Sequence, residues 1–105
     1  MALPSIFKDN RHTAIEITWL RQNGVPVDLT GATITGTKRN KSTSVNSTIT
    51  GSFTIMNTTQ GIFRWSHSAA DVATVGTYQV QFRATYGSGD FEDSIAEDWE
   101  VLAQL

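Results

Sequence analysis

The chain has 105 residues, enough for one hydrophobic core and too few for two. Eight basic against ten acidic side chains leave a net charge of −2 with both histidines neutral, which excludes a strong field for nucleic acid or anionic lipid. The absence of cysteine removes disulfide frameworks, thiolate metal sites and thiol catalysis together, and no apolar run is long enough to cross a bilayer as a helix. The first residues, Met1-Ala2-Leu3-Pro4-Ser5-Ile6-Phe7-Lys8, contain no apolar stretch of the signal-peptide kind. The expectation is one domain over 1–105, made in a cytoplasm, with 1–12 as an N-terminal arm and 13–102 as the folded core.

Thr 15, Ile 8 and Val 7, with ten aromatics, bring the strand-favouring residues to 40 of 105. Such side chains fit a pleated, half-buried surface and lose rotamer freedom in a helix, so the expected class is all-β. Along Thr13 to Leu20, Ile15, Ile17 and Trp19 share one face while Glu16 and Thr18 take the other, the period of a half-buried strand. Asn23-Gly24 ends it with a turn signal. Val25 to Leu29 is extended but holds Pro26, which confines it to an edge or a loop. Ala32 to Lys38 follows, with Ala32, Ile34 and Gly36 on one face. Arg39 to Asn46 is polar and reads as a hairpin tip.

Thr48 to Met56 alternates again, placing Ile49, Gly51, Phe53 and Ile55 inward as one strand. Ile62 to Ser66 pairs Phe63 with Trp65 on one face. Ser68-Ala69-Ala70-Asp71 has the spacing of a helix start, but Gly76 allows only one turn. In Thr77 to Tyr86, Tyr78, Val80, Phe82, Ala84 and Tyr86 all point one way. After the Gly87–Asp90 hairpin, a last strand runs from about Ile95 to Leu102, with Ile95, Trp99 and Val101 inward. About seven short strands separated by turns predict an antiparallel β-sandwich.

The inventory is poor in chemistry. His12 and His67 are the only candidate general bases near neutral pH, and no nucleophile elbow or phosphate-binding glycine loop accompanies them. Neither catalysis nor a cofactor or metal is expected. Asp90, Glu92, Asp93, Glu97, Asp98 and Glu100 lack the spacing of a helix–loop–helix calcium site and read as a solvated edge. Trp19, Trp65 and Trp99 fall on inward faces, which favours core packing over a sugar-stacking platform. A carbohydrate-binding module stays open as an alternative should an indole prove exposed.

The run from Asp71 through Gly76 and Tyr78 to Val80 resembles the tyrosine corner of immunoglobulin-like sandwiches, in which a tyrosine hydroxyl bonds to backbone upstream of a late strand. On that reading Asp71, Gly76 and Tyr78 are structural. A narrower likeness is carried by Val27-Asp28-Leu29-Thr30-Gly31-Ala32-Thr33-Ile34, Gly61-Ile62-Phe63-Arg64-Trp65, Ala69-Ala70-Asp71 and Gly76-Thr77-Tyr78-Gln79-Val80-Gln81-Phe82, in that order. Over roughly residues 13–102 the chain resembles the immunoglobulin-like domain of tailed-phage baseplate upper proteins and related virion domains.

That resemblance implies a virion structural protein of the tail or baseplate, or alternatively a capsid-surface decoration protein. It implies docking to other virion proteins and to copies of itself, with no nucleic acid and no membrane as partners; host-surface sugar is a less favoured partner. The charges suggest where docking occurs. Residues 1–50 carry six basic and three acidic groups, net +3, and residues 51–105 carry two and seven, net −5. The expected contacts are the apolar arm residues Leu3, Ile6 and Phe7, the basic tip Lys38, Arg39 and Lys41, and the acidic residues Asp90, Glu92 and Asp93. A basic tip facing a neighbour's acidic stretch would orient assembly.

Overall fold

The computed structural model describes residues 3, 5–10, 14–21, 23–94 and 96–104. In chain order the strands are β1 (Ile6–Phe7), β2 (Ile15–Thr18), β3 (Ala32–Asn40), β4 (Asn46–Thr48), β5 (Ser52–Asn57) and β6 (Ile62–Ser66). After a single 3-10 turn over Ala70–Val72 come β7 (Gly76–Tyr86), β8 (Phe91–Asp93) and β9 (Glu97–Leu102). One sheet has the order β1-β9-β7-β3-β4, with β8 also pairing β7; the other has the order β2-β6-β5. This is the layout of an immunoglobulin-like sandwich.

The axis of the larger sheet is the β3–β7 pair, in register from Ala32 opposite Tyr86 to Asn40 opposite Tyr78. Every second residue of β7 from Tyr78 to Ala84 is buried, as the alternation of the sequence requires. The two sheets meet over Ile15, Ile17, Trp19, Val27, Leu29, Phe63, Trp65, Val80, Phe82 and Trp99. Aromatic rings dominate that layer: Phe63 and Phe82 lie edge to face at 5.1 Å, and Trp65 and Trp99 are 4.8 Å apart. Edge-to-face contacts match a ring's positive rim to its neighbour's negative face, which adds to the area they bury.

Three features depart from the sequence reading. Thr48 to Met56 is not one strand. β4 ends the larger sheet, Ile49 to Gly51 crosses between layers, and β5 joins the smaller sheet. Alternation survives the crossing because both halves face the same core. Val25 to Leu29 takes the loop alternative of the sequence reading: it forms one isolated bridge, Leu20 to Pro26, and its Val27 and Leu29 are fully buried. Their amides donate to the Trp19 and Thr58 carbonyls at 3.0 and 2.8 Å, so this loop is anchored by backbone.

The described part of the arm belongs to the sandwich. Leu3 is buried in the core and its amide donates to the Asp98 carbonyl at 2.8 Å. β1 adds to β9 in parallel, Ile6 opposite Val101 and Phe7 opposite Leu102, so pairing is not wholly antiparallel. Finally, the last strand, expected from about Ile95, runs as β9 from Glu97 to Leu102, and a short β8 that the sequence reading lacks precedes it. β8 and β9 share the same edge of β7, and between them Ser94 exchanges backbone and hydroxyl bonds with Phe82. Ile95, His12 and Thr13 lie outside the described residues.

Candidate functional site

The densest polar chemistry lies at the end of the sandwich where the 3-10 turn meets the β4–β5 crossover. Asp71 is 1% exposed, and its carboxylate accepts four N–H bonds. The Thr50, Gly51 and Ser68 amides donate at 3.0 Å each and the Trp65 indole N–H at 3.2 Å. Donors preorganised in this way stabilise a buried charge without a cation in contact. The crossover can approach only because residue 51 is glycine: a Cβ there would overlap the Ser66 carbonyl and lie 2.6 Å from the Asp71 carboxylate.

Lys38 is the clearest correction. It does not stand at an exposed basic tip but is buried, with its ammonium donating to the Ala70 and Asp71 carbonyls at 3.2 and 3.0 Å. Its Nζ also sits 5.1 Å from the centre of the Tyr78 ring. Burial lowers its pKa, and the Asp71 charge opposes that shift. Lys38 is the next member of the inward series Ala32, Ile34, Gly36. The periodicity therefore carried the signal, and the charge concealed it. Tyr78 donates its hydroxyl to the Thr74 carbonyl at 2.8 Å, the bond that defines a tyrosine corner, and burial raises the phenol's pKa. Asp71 makes no part of that bond; it forms the separate hub above, while Gly76 opens β7.

His67 completes this end. Its ring stacks on Trp99 at 5.7 Å and 8°, and lies 4.3 Å from Trp65. Both ring nitrogens and the Trp99 indole nitrogen are buried without a hydrogen-bond partner among the described residues. Burial holds the imidazole below its usual pKa, with Asp71 opposing the shift. Such an imidazole packs as an aromatic ring, and its unpartnered nitrogens are a feature that spacing alone does not disclose.

The expected contact residues divide by exposure. Leu3 and Lys38 are buried and Ile6 half-buried, so none of the three offers an open docking face. Phe7, Arg39, Lys41, Asp90 and Asp93 are exposed, and Glu92 is partly so. Much of the charge is already matched within the chain. Arg21 grips Glu92 with two bonds of 3.2 and 2.9 Å, Arg83 grips Asp93 with 2.7 and 3.1 Å, and Lys41 reaches Asp98 at 3.2 Å. The Arg83 bond holds the Asp93 carboxyl below the usual carboxylate range. Of the expected basic tip, Lys41 is the residue that meets the acidic stretch of the same chain, at Asp98.

The model of the BppU N-terminal domain family matches residues 8–97. The chain belongs to that family. The match runs from the residue after β1 to the first residue of β9 and so spans most of the sandwich. The BppU N-terminal domain is that of phage baseplate upper proteins, which makes this chain a phage baseplate structural component that meets other virion proteins. No curated protein matches the sequence.

For a BppU N-terminal domain, this one presents little pocket chemistry. Trp19, Trp65 and Trp99 are at most 5% exposed, so none offers an open indole face to a sugar ring. Among the described residues no three His, Asp or Glu side chains converge as a metal site. A cleft of about 410 Å³ opens beside Lys38, Asn40, Val45, Thr48 and Thr74, and another of about 460 Å³ beside Arg21, Asp28, Tyr86 and Phe91. Both are open at the surface; Lys38 and Arg21 serve the internal bonds already described, and Asp28 accepts from the Thr30 amide and hydroxyl at 2.9 and 2.6 Å.

Proposed function

We propose that this domain is a non-catalytic docking module of the phage baseplate, holding other virion proteins through its outer surface and sheet edges. The observation that carries the reading is where the reactive side chains go. Asp71 is saturated by N–H donors, Lys38 is held by two carbonyls, and His67 is enclosed by two indoles. Catalysis needs a base and a nucleophile presented to substrate. Among the described residues, Asp71, Lys38 and His67 are spent on fixing one end of the sandwich, which supports the reading of a rigid body suited to being gripped.

Cryo-electron microscopy of intact virions, with the chain located by a bound Fab fragment, tests the reading. Density at the tail tip, in contact with neighbouring baseplate proteins, is the expected result. Density on the capsid surface would replace it with a decoration role. Saturable binding of the purified chain to a glycan array would replace docking with sugar recognition.

A further inference from the structure

Among the described residues five strands are outermost in the two sheets, β1, β4 and β8 of the larger and β2 and β5 of the smaller, and four of these carry features that discourage pairing with another chain. β1 has two residues, β4 and β8 have three each, and β2 carries Glu16 beside Arg64 on β6. Short edges and edge charges are the usual protection of an open ladder. β5 has neither. It is six residues long, Ser52-Phe53-Thr54-Ile55-Met56-Asn57, with no proline and no charge. It also lies within a stretch, from Ser42 to Phe63, that contains no ionisable side chain at all. Phe53 and Ile55 pack on the core yet remain half-buried, and Met56 is 48% exposed.

We propose that β5 is a self-pairing edge, joining antiparallel to β5 of a second copy about a two-fold axis at Thr54. This deepens the docking reading above and rests on it. Two-fold pairing sets the residues nearest the axis beside their own equivalents, so any charge close to the axis would repel itself; β5 is neutral throughout. With the axis at Thr54 the pairing runs from Ser52 to Met56. Thr54 then faces the partner's Thr54 on the solvent side, and Phe53 faces the partner's Ile55 on the core side. Threonine pairs and aromatic with β-branched pairs are favourable cross-strand neighbours. The bulge opposite Ile62, between Ile55 and Asn57, ends the regular run. The smaller sheet becomes six strands continuous across the dimer, and the half-buried Phe53 and Ile55 are covered.

Because the chain has no cysteine, the axis can be located directly. Thr54→Cys places two thiols opposite each other, at the separation a disulfide spans. Mild oxidation should trap a covalent dimer at least about tenfold faster than for Thr35→Cys, an exposed position on the other sheet, because paired thiols have a high effective concentration. In sedimentation velocity the native chain should show a concentration-dependent dimer. Thr54→Lys should abolish it while circular dichroism stays that of the folded chain and the melting temperature matches that of the dilute, monomeric native chain, and mixing Thr54→Lys with Thr54→Glu should restore it. A native chain that stays monomeric, a dimer indifferent to Thr54→Lys, or crosslinking no faster than the Thr35→Cys control would each overturn the pairing. A monomer that still maps to the tail tip sinks the pairing alone, whereas absence from the tail tip sinks the docking reading.

Discussion

Tyr78 and His67 lie at the same end of the core and make opposite demands on polar chemistry. Tyr78 buries its ring and sends its hydroxyl to the Thr74 carbonyl. Tyr78→Phe keeps the packing and strips that bond, so stability should fall by about 1–3 kcal/mol if the carbonyl finds no replacement donor. An unchanged denaturation midpoint would show that water already serves it. His67 has no such bond, and desolvation favours its neutral form. Its folded pKa lies below the unfolded value of about 6.5, so the unfolded chain binds the extra proton first. Stability is then complete above pH 6.5, falls as the pH drops towards the folded pKa, and levels off beneath it. Melting temperatures from pH 8 to 5 should show this slope, and His67→Phe should flatten it. An equal slope in the variant would assign the effect to carboxylates instead.

At the scale of strands, the β4–β5 crossover depends on one side chain reaching it from the turn after β6. Asp71→Asn leaves a single carbonyl oxygen for four N–H donors, and its own NH₂ group must point at one of them. The cost should be at least about 1–3 kcal/mol, lowering the melting temperature by about 4–8 °C per kcal/mol. Thermal denaturation measures it, and a variant as stable as the native chain would mean the crossover is held by packing. Strands with several alternations, such as β7 and β3, were legible because a period of two reports which residues face the core. The same period is silent about which sheet a residue joins. Hence Ile49 to Ile55 read as one strand, although the chain changes layers at Gly51. β1 was too short to show any period; its pairing depends on β9, some 95 residues away. Lys38 was legible in its spacing and misread by its charge, since two carbonyls and an aromatic face make its buried position tolerable. Turn glycines and the corner tyrosine were readable because their roles are local. The Asp71 hub was not, because its donors come from three separate segments.

For the whole molecule, the sign difference between the two halves of the chain meets inside one sandwich. Arg21 and Lys41, from the positive half, bind Glu92 and Asp98 from the negative half. These pairs are exposed, and surface pairs contribute about 0–1 kcal/mol each. Matched charges also have little field left to steer a second copy, while the β5 edge has none to screen. Assembly through opposite patches would weaken steeply with salt, because the screening length shrinks from about 10 Å at 0.1 M to about 3 Å at 1 M. Pairing through β5 rests instead on backbone hydrogen bonds and the covering of Phe53, Ile55 and Met56, which salt does not screen. The self-association constant should therefore change less than about threefold between those concentrations, a shift below about 0.7 kcal/mol. Arg39→Glu with Lys41→Glu should leave it equally unmoved. Sedimentation at the two salt concentrations decides between the models: a loss of tenfold or more would put the charged tip, and not the neutral edge, at the contact.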